Sequence, residues 1–115
     1  MSKRDEPLLM DMLDACRDVM EYVQGKDLAH FLEDRMIQDA ISYRLQVIGE
    51  AAYKVSDQTK AVEPSIDRFK ISGLRHRIVH DHRNIDMETL WRVTQKYVPP
   101  LAERLEVLAK GYGWG

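Results

Sequence analysis

An arginine and a histidine, Arg75 and His80, stand five positions apart, with His76 directly after the first and His82 two places beyond the second. Three of the chain's four histidines thus fall within seven positions. An imidazole exchanges protons near neutral pH, and a guanidinium holds a phosphate with a planar fork that is always charged. Binding a phosphodiester, neutralising the charge that builds on it and moving protons to and from its oxygens are what metal-free cleavage of RNA requires. RNA cleavage is therefore the first reading of these residues, with Arg75 and His80 as the reacting pair.

The spacing leaves other readings open. On a helix Arg75 and His80 point about 140° apart, so they meet only because arginine is long and His80 falls near a helix end. His76 and His80 are four apart and share a face. A solvated basic helix end, favoured by the helix dipole, gives the same pattern. So does a zinc-binding pair, although no Cys, Glu or Asp of the motif offers a third ligand at standard spacing. No P-loop, nucleophile elbow or Gly-rich dinucleotide turn is present.

Charge is concentrated on the same stretch. Residues 68–83 carry Arg68, Lys70, Arg75, Arg77 and Arg83 against Asp81 alone, whereas the remainder holds 12 basic and 18 acidic residues. A broad nucleic-acid coat would spread its basic residues, so this is a local phosphate site on an acidic protein. His76, Arg77, His82 and Arg83 are its candidate phosphate-binding residues, and no stable DNA binding is expected. The chain lacks an apolar run of the ~20 residues that span a bilayer, and Met1–Glu6 lacks the apolar core of a signal peptide. A cytoplasmic protein without membrane attachment is expected. No cofactor or metal is called for. The lone Cys16 falls on an apolar helical stripe, as a small core residue rather than a nucleophile.

The elements that must position the motif read as all-α. Leu9, Met12, Leu13, Cys16, Met20 and Val23 recur at helical spacing, with Pro7 suited to the first turn and Gly25 to the residue after the last. Asp27 caps a short turn near 27–33. A long helix near 35–55 follows on Ile37, Ile41, Leu45, Ile48, Ala52 and Val55. Residues 56–63 are polar and aperiodic and read as a loop. Pro64 opens an element running to about His80, with Leu74 and Ile78 inward, and 81–84 form a second loop. Asp86 caps a helix carrying Leu90, Trp91, Val93 and Tyr97. Pro99 and Pro100 should break or kink it, before Leu101, Leu105 and Leu108 resume the spacing. Trp91 and Tyr97 could stack bases, but aromatics at this spacing more often belong to a core. The glycine-rich 110–115 reads as a flexible tail on one domain, 1–115. The architecture is an up-and-down bundle of four to five helices.

Arg75-x4-His80 resembles the Arg-x4–6-His motif of the HEPN superfamily, and the surrounding chain resembles its small HepT-like (DUF86) branch. Phe31–Ala40 and Ile48-Gly-Glu-Ala51 look like that branch's long second helix. Gly73-Leu-Arg-His-Arg-Ile-Val-His80 looks like its G-[ML]-R-N-x-[IL]-[VI]-H segment, and Asp86–Trp91 with Pro99-Pro100-Leu101 follow in order, so the resemblance covers about residues 8–108. It implies a homodimer with facing motif segments, and a ribonuclease toxin of a type VII-like toxin–antitoxin pair. Its partner is a minimal nucleotidyltransferase antitoxin that attaches AMP to a motif tyrosine. The alternative is a non-catalytic nucleotide-binding or substrate-positioning partner of that enzyme. Two positions depart from the branch: His76 replaces its usual asparagine, and His82 replaces the tyrosine. Without a phenol at 82, occlusion or another acceptor has to replace adenylylation there.

Overall fold

The computed structural model describes residues 4–68 and 86–111. Within them the chain is helical, without strands. The helices are α1 (Asp5–Val23), α2 (Leu28–Glu33), α3 (Arg35–Lys54), α4 (Asp57–Val62), α5 (Pro64–Arg68), α6 (Met87–Lys96) and α7 (Val98–Gly111). The all-α bundle expected from the sequence is present: four helices of ten residues or more, with three short ones between them. No described helix is long and apolar enough to cross a membrane.

α1 lies at the centre, packed chiefly against α3 and then α7. Its stripe of Leu9, Met12, Leu13, Cys16, Val19 and Val23 is buried. Ile41, Leu45, Ile48 and Ala52 face it from α3, and Leu101 and Leu105 from α7. Full burial of each large side chain contributes roughly 1.5–3 kcal/mol, which is what holds so short a chain in one arrangement. Met20 is 39% exposed; Val19 takes the core position beside it.

The punctuation follows the residue types. α1 stops at Gly25, whose φ of 74° is a left-handed conformation that suits glycine. Asp27 caps α2 by accepting from the His30 N–H at 2.9 Å, and Asp34 caps α3 by accepting from the Ile37 N–H at 3.1 Å. The expected break at the prolines is also found. α6 ends at Lys96, and Pro99 and Pro100 sit in the first turn of α7, where a missing N–H removes no helical bond.

Within residues 56–63, expected as a loop, Asp57–Val62 form the helix α4. Ser56 caps it by accepting from the Thr59 N–H. The helix has six residues and buries polar Thr59, so it carries none of the apolar periodicity by which helices are read from sequence.

Candidate active site

Arg75, His76, Arg77, His80, His82 and Arg83 all lie outside the described residues, as do Leu74 and Ile78 and the expected loop at 81–84. The structure describes the two ends between which they run, Arg68 at the close of α5 and Asp86 at the cap of α6, and shows how firmly each end is held.

Two buried carboxylates hold the approach. Asp5, at the start of α1, is almost wholly buried. Its Oδ2 accepts from the Ser56 and Thr59 hydroxyls, each at 2.6 Å, and its Oδ1 accepts from the Ser56 N–H at 3.1 Å. Burial pushes the Asp5 carboxyl up, but the bonds from Ser56 and Thr59, helped by Arg4, outweigh it and leave the group below the ordinary carboxylate range. Glu63 stands between α4 and α5. Arg104 of α7 donates to its Oε2 from Nε at 3.0 Å and from Nη2 at 2.8 Å, and the Ser65 hydroxyl donates to its Oε1 at 2.8 Å. The Arg104 guanidinium holds the Glu63 carboxyl below its usual range against the effect of burial. Ile66, the third residue of α5, is fully buried and packs into the core.

The far end is held by Asp86. It accepts from the Glu88 N–H and the Thr89 hydroxyl, each at 3.0 Å, and so starts α6. Leu90 is fully buried, and Trp91 packs against the core with its ring 5.3 Å from that of Phe31. Trp91 is thus a packing residue. Tyr97, expected on the apolar face, is 45% exposed, with the Lys96 ammonium 5.7 Å from its ring centre.

Asp5 and Glu63 were not legible as anchors in the sequence. Asp5's partners stand 51 to 54 residues away and Glu63's Arg104 41 residues away, and no local pattern signals so distant a pairing. The remaining histidine, His30, is exposed on α2 with its Nδ1 2.7 Å from Asp27 Oδ1. The backbone N–H and ring of His30 hold the Asp27 carboxyl low. Cys16 is buried, and burial pushes its thiol up to about 12, so it offers no thiolate at neutral pH. Among the described residues no group of three or more His, Cys, Asp or Glu side chains is arranged to hold a metal ion. An open cleft of about 180 Å³ between α1 and α3 is lined by Leu8, Asp11, Val47, Glu50, Ala51 and Lys54.

The family model described as Ribonuclease HepT-like matches residues 12–108, a span that contains the whole Arg/His segment and both of its anchored ends. The chain belongs to the HepT-like ribonuclease family. Full-length relatives agree with this. The chain is 30% identical over 109 residues to a protein of Methanocaldococcus jannaschii named "Putative RNase MJ1380", covering 94% of this chain and all of that one. It is 26% identical over 110 residues to "Probable ribonuclease HepT" of Thermococcus cleftensis, covering 96% of this chain and all of that one. No solved structure matches the chain at comparable significance. The matched span takes in most of α1, all of α3 and α6 and most of α7, the helices that carry the core.

Proposed function

We propose that the chain is a metal-independent endoribonuclease, the toxin of a type VII-like toxin–antitoxin pair, acting as a homodimer. The observation that carries this reading is Arg75-x4-His80 standing inside the matched family span. The names of the relatives support RNA as the substrate class.

The chemistry uses the substrate's own nucleophile. The 2′-oxygen attacks the adjacent phosphorus and the bond from phosphorus to the 5′-oxygen breaks, leaving a 2′,3′-cyclic phosphate and a 5′-hydroxyl. One imidazole takes the 2′-hydroxyl proton and another gives a proton to the departing 5′-oxygen. Two copies of His80 fill these roles when two subunits face one phosphate, with His76 and His82 alongside. Arg75 stabilises the additional negative charge on the phosphoryl oxygens, while Arg77 and Arg83 hold neighbouring phosphates. DNA lacks the 2′-hydroxyl and is not cleaved. The antitoxin is a minimal nucleotidyltransferase. With histidine at 82, it restrains the toxin by covering the site or by modifying a different residue.

The test is cleavage of RNA in EDTA by the parent and by His80→Ala, with the product ends identified. Cleavage by the parent alone, ending in 2′,3′-cyclic phosphate, is expected. Equal cleavage of DNA, or loss of activity with EDTA, would overturn the mechanism. RNA binding without cleavage would make the chain a binding module.

A further inference from the structure

Glu63 and Arg104 are 41 residues apart in the chain and meet in the fold, where Nε and Nη2 of the guanidinium both donate to Oε2. The contact closes a loop of chain, and Arg75, His76, Arg77, His80, His82 and Arg83 all lie inside it. The two sides of that loop are held unequally. On the far side α6 and α7 follow one another across Tyr97, with Leu90, Leu101 and Leu105 buried in the core. On the near side α4 and α5 have only six and five residues. Helices so short do not hold themselves together in water. The place where the chain enters the Arg/His segment is therefore set by side-chain contacts: Asp5 at the start of α4, Ile66 within α5 and Glu63 between them. Glu63 is the charged link from this side to α7.

The pair is asymmetric. The Glu63 side chain is 6% exposed and that of Arg104 is 52% exposed. Without the guanidinium, the carboxylate keeps the Ser65 hydroxyl on Oε1 but is buried without its countercharge. A charge in that position turns out to water rather than stay, and the start of α5 moves with it.

We infer that Glu63 and Arg104 are positioning residues of the ribonuclease: their ion pair fixes the entry to the Arg/His segment relative to α7, and so the placing of Arg75 and His80 on the reacting phosphate. The inference rests on the ribonuclease reading given above. Neither residue touches RNA in this role. Their charges are opposite, so the pair adds no net charge to the site and acts through geometry. A misplacement of about 1 Å between reacting groups costs a reaction about 100-fold, whereas long flexible cations holding phosphate in the ground state tolerate it.

The experiment uses the full chain. Rates over a range of concentrations of one RNA give kcat and KM for the parent, Arg104→Met, Arg104→Lys and Glu63→Gln/Arg104→Met. They are taken at a temperature where circular dichroism shows each chain folded, and urea unfolding gives the stabilities separately. In Arg104→Met, kcat is expected to fall about 10- to 100-fold with KM within about threefold of the parent. Arg104→Lys, which keeps a charged donor for Oε2, should recover most of the loss. Glu63→Gln/Arg104→Met should be no slower than Arg104→Met, because the pair is already broken and a neutral amide stays buried at less cost. Should Arg104→Met fail to fold, this double variant, which buries no unpaired charge, carries the same expectation against the parent. A parent kcat without the pair, whatever the urea midpoint, would make it a structural bond alone and leave the ribonuclease reading standing. A raised KM at unchanged kcat would make Arg104 an RNA contact and overturn the positioning role. A parent that leaves RNA intact would overturn both.

Discussion

The carboxylate of Asp5 accepts a hydrogen bond from the Thr59 hydroxyl at 2.6 Å across 54 residues of chain. The contact joins the first turn of α1 to the first turn of α4. α4 and α5 lead directly into the Arg/His segment, so a residue at the very start of the chain helps to hold the approach to the proposed site.

Replacing Asp5 by alanine should lower stability by about 2–4 kcal/mol, since the bonds are made to a charged group and their loss leaves the buried Thr59 hydroxyl and the half-buried Ser56 hydroxyl without their acceptor. Urea unfolding at neutral pH measures it. The pH dependence has a definite sign. The folded pKa of Asp5 lies below its ordinary value of 3.8, so its contribution is present above that value and is lost as pH falls through the folded pKa. Asp5→Asn should lose this acid-side slope. An unchanged slope would mean that other carboxylates dominate acid unfolding.

Cys16 should be silent to a thiol reagent at pH 8 in the native chain and should react fully in denaturant. Its thiol is buried within α1 and pushed up to about 12. Rapid native labelling, followed by absorbance, would mean that α1 separates from α3 or α7 far more often than its packing implies.

Arg75→Lys should lose most ribonuclease activity although charge is kept, because an ammonium cannot reproduce the two-point planar contact to phosphate. Initial rates on one RNA, compared with the urea midpoint of the same variant, separate chemistry from folding. Cleavage at the parent rate would place the reacting arginine elsewhere.

His82→Tyr should make position 82 an acceptor of AMP from a cognate or closely related nucleotidyltransferase, whereas the parent should gain no mass there. Intact mass after incubation with ATP, followed by peptide mapping, reads the result. Modification at residue 82 in the parent would mean that the imidazole serves in place of the phenol.

The sequence by itself determined the helical class, the places where most helices begin and end, and the family. Those features are local or periodic. Gly25 stops α1 and Asp27 caps α2, each through its own conformational chemistry, and the apolar spacing of α1 and α3 marks their core faces directly. The tertiary structure alone decided what depends on distant partners. The polar stretch after α3 becomes α4 because Asp5, 51 residues earlier, receives the Ser56 N–H and hydroxyl. Glu63 is a buried anchor because Arg104 reaches it from α7.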